Sequence, residues 1–227
     1  MTVLDELFGK NTIKRREVPV NRNINHQFLE ESAPIERGLV TTLKVQQNQM
    51  DLEMIRKRFI AFDVETTGLN NKSERIIELG AILYENGAVK DRFGTLVNPG
   101  IPVPPSATRV NHITNQMLKS APDELDTYKR FVDFLGDALD QQIIICAHNA
   151  SFDMRFLSET LMRLGYNGRI AYVDTLSLSR KLVKGLDNYK QNTVAEHFNI
   201  VNVDAHRAYA DAEVCGKILL ELIELIP

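Results

Sequence analysis

Phe59-Ile60-Ala61-Phe62-Asp63-Val64-Glu65-Thr66-Thr67-Gly68-Leu69 is the stretch on which the reading of the fold turns. Four apolar β-formers run into two acids and a Thr-Thr-Gly turn, the pattern of a buried strand that ends at a polar edge. Residues two apart on a strand share a face, so Asp63 and Glu65 point one way while Phe62 and Val64 point to the other, apolar side. Two carboxylates side by side at the end of a buried strand repel each other unless something positive joins them. A hard divalent cation with oxygen ligands is the simple solution. The plainer alternative is a strand edge whose acids merely face water.

Downstream of this strand, residues 76–83 form a second strand candidate, followed by the turn Glu85-Asn86-Gly87. Residues 93–97 form a third, closed by Asn98-Pro99-Gly100. Three strands joined by short turns predict an antiparallel meander. Helices then alternate with strands. Residues 123–139 carry Leu125, Tyr128, Phe131, Val132 and Leu135 at helical spacing. Residues 143–147 are a buried strand run, 152–164 a helix ended by Gly165, and 170–173 a last short strand. Asp174 caps a helix over 175–182. The final helix is expected to start near Asp204 and run towards Ile226, with Ala208, Ala212, Cys215, Leu219, Leu222 and Ile226 as its apolar stripe. The expected fold is α/β: a mixed five-stranded sheet, three antiparallel strands then parallel strands, flanked by helices.

Upstream the texture differs. Residues 1–57 are polar, rich in Asn and Gln, and without a sustained period. Residues 39–45 could be a strand, and 46–58 have helix-forming composition ending in Arg56, Lys57 and Arg58. This predicts a domain of residues 58–227 preceded by an extension of residues 1–57. That extension is either a partly ordered segment packed on the main domain or a docking segment for a partner or nucleic acid.

Composition narrows the class. No apolar run approaches membrane-spanning length, and the N-terminus lacks a secretory pattern. Cys146 and Cys215, far apart in apolar stretches, read as buried thiols of a reducing compartment, which predicts a cytoplasmic protein with no membrane partner. The net charge of −3 counts mildly against a nucleic-acid binder. It does not exclude a carboxylate-rich site, which repels phosphate until cations occupy it. The charge is uneven: residues 1–58 hold ten Lys and Arg against eight Asp and Glu.

Two further motifs carry acids. In Ala147-His148-Asn149-Ala150-Ser151-Phe152-Asp153 a buried strand enters a short polar turn and a helix, with Asp153 in the first helical turn beside exposed N–H groups. Taken alone, Asp153 reads equally well as a helix cap. In Asp204-Ala205-His206-Arg207-Ala208-Tyr209-Ala210-Asp211, the last acid borders the face that packs on the sheet and needs a cation or hydrogen bonds there. His206, five residues earlier, lies about 140° away on an ideal helix. The two can serve one site only if His206 is on the loop entering the helix; by itself it reads as a surface or capping histidine.

Together the Asp-x-Glu-Thr-Thr-Gly-Leu block at 63–69, the His-Asn-x-x-x-Asp block at 148–153 and the His-x-Ala-x-x-Asp block at 206–211 resemble the DEDD superfamily of 3′–5′ exonucleases. This is the ribonuclease H-like, DnaQ-like group that includes bacterial proofreading subunits. The likeness covers about residues 59–226. The third block matches the histidine subtype, because the tyrosine subtype would place Tyr where Arg207 stands.

The resemblance implies that Asp63, Glu65, Asp153 and Asp211 bind two divalent cations, Mg²⁺ or Mn²⁺, and that His206 is the general base for the attacking water. The product would be a nucleoside 5′-monophosphate. It implies substrate contacts through the Thr66 backbone N–H, Gly68, Leu69 wedged against the last base, Asn149 and Phe152. His112, in Val110-Asn111-His112-Ile113-Thr114, either contacts the terminal nucleotide or makes a loop-stabilising hydrogen bond. The expected substrate is a single-stranded 3′ end of DNA in proofreading or repair, with RNA as the alternative. A catalytically silent adaptor would lack a ligand, yet all five candidates are present. An unrelated carboxylate metal hydrolase would not require the Thr66–Leu69 loop. No polymerase domain lies within these 227 residues. Proofreading would therefore act in trans or in a larger assembly, with a DNA polymerase or another replication or repair protein docked through residues 1–57.

Overall fold

The computed structural model describes residues 35–202 and 206–226. Among them, a six-stranded sheet is built from β1 (Val40–Lys44), β2 (Arg58–Thr66), β3 (Ile76–Glu85), β4 (Ala88–Leu96), β5 (Ile144–Ala147) and β6 (Gly168–Asp174). Its spatial order is β1-β6-β5-β2-β3-β4, with β2, β3 and β4 antiparallel and β1, β6, β5 and β2 parallel. The expected meander and parallel half are therefore present. The count is corrected from five strands to six, because residues 40–44 pair in register with β6 along the sheet edge.

Local chemistry explains the elements. Asn86 (φ 52°) and Gly87 (φ 77°) occupy the two left-handed positions of a two-residue hairpin, and Glu85 pairs with Ala88 across it. Helices α1 (Leu52–Lys57), α2 (Pro105–Asn111), α3 (Asn115–Leu118), α4 (Glu124–Leu135), α5 (Ser151–Arg163), α6 (Thr175–Leu182), α7 (Gln191–His197) and α8 (Ala208–Glu224) cover the sheet. Asp51 accepts the Met54 N–H at 2.9 Å and so starts α1 later than composition suggested. Asp123 accepts the Asp126 N–H at 2.9 Å, and Gly136 (φ 47°) stops α4 short of residue 139. The last helix begins at Ala208, because His206 has φ 68° and cannot be helical. Asp204 and residues 1–34 of the extension lie outside the described residues.

The alternation along β2 divides two cores. Ile60, Phe62 and Val64 pack under α4 and α5 with Phe131, Phe156 and Leu157. Phe59 and Ala61 face the opposite layer with Ile218, Leu219 and Leu222 of α8, and both cysteines are buried there as free thiols. Asp63 and Glu65 continue the second face beyond the end of that core. They stand at the carboxyl ends of the parallel strands, where ligand crevices of open α/β sheets form. No helix among the described residues is long and apolar enough to cross a membrane.

Candidate active site

The site depends on how closely α8 approaches β3. Gly80 is the cross-strand partner of Asp63, and a Cβ on it would lie 2.1 Å from the Ala208 carbonyl carbon. Glycine alone lets the first turn of α8 settle on the sheet, which carries Asp211 over the two β2 acids. Glu78, paired with Glu65 and buried, fixes that turn. Its Oε1 accepts from Arg207 Nη2 at 2.6 Å and Nε at 3.0 Å, and its Oε2 accepts the Ala208 N–H at 3.2 Å. A carboxylate from a neighbouring strand thus caps the helix start and neutralises an arginine.

Asp153 arrives from the other layer. β5 ends at Ala147, the chain turns through Asn149 (φ 69°), and α5 begins at Ser151. This puts Asp153 in the first helical turn, buried. Asp63, Glu65, Asp153, Asp211, His206, Asn149 and Phe152 all line one cavity of about 340 Å³. The sequence-predicted acids, the histidine and two of the substrate-contact candidates therefore meet, although they come from three separate stretches. His206 lies on the turn entering α8, the placement its spacing from Asp211 required.

The carboxylates of the cavity perturb one another. Burial, then the neighbouring charges of Asp153, Asp211 and Glu65, hold the Asp63 carboxyl well above the usual range. Burial and the charges of Asp211 and Glu78 push Glu65 up to about 7, against a hydrogen bond from Asn111. Burial also raises Asp153. Acids forced together in this way prefer protons, or a divalent ion, to shared negative charge. Donor atoms of Glu65, His206 and Asp211 lie within 4.8 Å of one another, close enough for one ion. Asp211 is also held by protein: Asn202 Nδ2 donates at 2.8 Å and Gln191 Nε2 at 3.3 Å to Oδ1, and the His206 N–H donates at 2.9 Å to Oδ2.

The other predicted contacts, Thr66, Gly68, Leu69 and His112, do not line the cavity. Thr66 Oγ1 donates to the Gly68 carbonyl at 2.6 Å, and a Cβ on Gly68 would crowd Glu74 at 2.9 Å. Leu69 is 81% exposed at the tip of this loop. Asn111 joins loop and cavity by donating to the Thr66 carbonyl at 3.2 Å. His112, left-handed at φ 60°, places its ring 6.4 Å from that of His206.

Sequence reasoning missed Lys190, Gln191 and Asn192 on the cavity wall, as well as Asn111, Asn202 and Glu78. Their segment, 190–192, is placed by His148. The Tyr189 carbonyl can only accept, so Nε2 of His148 donates to it at 2.8 Å, while Nδ1 lies 3.0 Å from Thr175 Oγ1. Burial keeps this imidazole below its usual pKa. The one available signal was the polar run Asn188-Tyr189-Lys190-Gln191-Asn192, which has no periodicity of its own.

Comparison with known proteins shows the family. The DNA polymerase III PolC-type of Caldanaerobacter subterraneus subsp. tengcongensis is 38% identical over 166 residues, which is 73% of this chain and 12% of that protein. The chain thus spans about an eighth of the length of that relative. Exonuclease X, solved in complex with 5′ overhanging duplex DNA, superposes with a TM-score of 0.55 at 25% identity over 74% of this chain and 90% of that one. E. coli exonuclease I, solved with a dT13 oligonucleotide, shares the fold with a TM-score of 0.63 at 18% identity over 74% of this chain and 40% of that one. The sequence pattern of the exonuclease family (RNase_T) matches residues 60–219, a span that contains every carboxylate of the cavity, and the chain belongs to that family.

Proposed function

We propose that the chain is a metal-dependent 3′–5′ exonuclease of the DEDD type, histidine subtype, that shortens DNA from its 3′ end. The observation that carries this reading is the convergence of Asp63, Glu65, Asp153, Asp211 and His206 on one cavity. The family works with divalent metal ions, and the donor set fits them: oxygen-rich, crowded, and charged beyond what the protein itself neutralises. The four carboxylates would hold two ions, Mg²⁺ or Mn²⁺. When bound, the ions supply charge neutralisation for the phosphate and the developing oxyanions.

The chain's own groups perform the remainder. His206, exposed at the mouth, accepts the proton of the attacking water, a role for which imidazole is suited near neutrality. The Thr66 backbone N–H and the Asn149 side chain orient the terminal nucleotide, Leu69 wedges against its base, and Phe152 and Gly68 shape the floor and loop. His112 stands beside His206 at the same end. The likeness to a protein solved on DNA, and to PolC-type polymerases, favours DNA and a proofreading or repair role. In that role residues 1–57, whose described part adds β1 to the sheet, would dock the chain to a polymerase.

Matched 5′-labelled single-stranded DNA and RNA, incubated with Mn²⁺ or Mg²⁺, test the reading. The expected result is a ladder shortening from the 3′ end, faster on DNA, and abolished by EDTA and by Asp63→Ala. Activity that survives Asp63→Ala overturns it, and faster cleavage of RNA transfers the reading to an exoribonuclease.

A further inference from the structure

We propose that Lys44, on a strand outside the span matched by the exonuclease family, is a positioning residue for the catalytic turn, acting through Asp174. The inference rests on the nuclease reading above for its kinetic consequence, but its structural basis is independent. Asp174 is buried at the end of β6, where the sequence suggested a helix cap. Its Oδ1 does accept the Leu176 N–H of α6 at 3.2 Å. The same oxygen accepts the N–H groups of Asn149 at 3.1 Å and Ala150 at 3.4 Å, at the start of α5. Ala150 has no side-chain cap of its own. One carboxylate therefore caps two helices and holds the left-handed Asn149 turn that aims Asp153 into the cavity.

A further buried negative charge beside the acid cluster is unfavourable unless it is compensated. Lys44 supplies the compensation: its Nζ donates to Asp174 Oδ2 at 2.7 Å and to Ser177 Oγ at 2.7 Å. Ser177 donates in turn to the same Oδ2 at 2.8 Å. Lys44 reaches this point because β1 adds in parallel to β6, pairing Lys44 with Tyr172. The strand therefore belongs to the active-site architecture, although the family match begins only at residue 60.

The test compares the full chain with Lys44→Met and Lys44→Arg by amide hydrogen exchange and by steady-state digestion of oligo-dT with Mn²⁺. Lys44→Met should speed exchange at Asn149 and Ala150 and lower kcat about tenfold, the usual scale for loss of a supporting contact, with KM within about threefold. Lys44→Arg should restore most of both. Unchanged exchange at residues 149–150, or Lys44→Met and Lys44→Arg equally impaired, would overturn the proposal. Should Lys44→Met fail to fold, the same readings on Ser177→Ala decide, with the same pattern expected in weaker form and no change refuting it. A wild-type chain inactive on every strand would refute the nuclease reading, and the exchange measurement would then judge Lys44 by itself.

Discussion

Substituting Gly80 by alanine should separate catalysis from folding. The added Cβ would meet the Ala208 carbonyl carbon and oxygen at 2.1 Å and the Tyr209 nitrogen at 2.3 Å. These are backbone atoms, which cannot swing aside as a side-chain tip can. Ordinary carbon contacts begin near 3.5 Å, so the first turn of α8 must retreat by roughly 1 Å or more. That turn carries Asp211 and follows His206, while Asp63, opposite Gly80, stays on β2. The acids would move apart while the rest of α8, held by Leu219, Leu222 and Ile223, stays packed. Overpacking of this kind costs about 1–3 kcal/mol of stability. A misplacement of about 1 Å at a catalytic centre lowers rate on the order of a hundredfold. The assay is 3′-end digestion of labelled DNA at saturating Mn²⁺ beside thermal unfolding of the same preparations. A Gly80→Ala variant that keeps its structure and cleaves within about threefold of wild type would refute the close approach as the source of the site.

Other outcomes follow from the same geometry. Glu78→Gln removes the charge from the Arg207 pair and weakens the cap on α8; it should lower kcat by about 10- to 100-fold while unfolding stays cooperative, and unchanged kinetics would count against that clamp. For the metal-free protein, Glu65 lies at about 7 when folded against an ordinary 4.5, so the native state holds the extra proton between these values. Stability should therefore fall as pH rises from about 4.5 through 7, by about 1–3 kcal/mol from this group. Denaturant titrations of wild type and Glu65→Gln test this: the variant should show a flatter pH profile across that window, and parallel profiles would contradict the assignment. Mn²⁺ or Mg²⁺ at pH 8 should raise the melting temperature of wild type but far less that of Asp63→Ala, read by thermal shift. Leu69→Ala, at an 81% exposed position, should leave the melting temperature within about 2 °C while slowing digestion of the 3′ end.

Much of this site was legible because its first part is local. The period of two along β2 decides which face Asp63 and Glu65 share, and no distant residue enters that inference. The Asn86-Gly87 hairpin, the Asp174 cap and the break at Gly165 are likewise written in a few adjacent residues. The short helices α2, α3 and α7 were not anticipated. Each has at most seven residues, too few for a hydrophobic period to show, and such short segments rely on packing for their helicity.

The sequence by itself determined the three-strand meander and the main helices and strands that follow it, the carboxylate pair and the three-block pattern that identifies the family. The tertiary structure decided how these pieces are held. Glu78 lies 129 residues from Arg207, and Lys44 lies 130 from Asp174. Gln191, at the start of α7, and Asn202, beyond its end, both reach Asp211. These contacts depend on how near one backbone comes to another, as at Gly80. That separation is set by the packing of whole layers, and no window of the chain contains it.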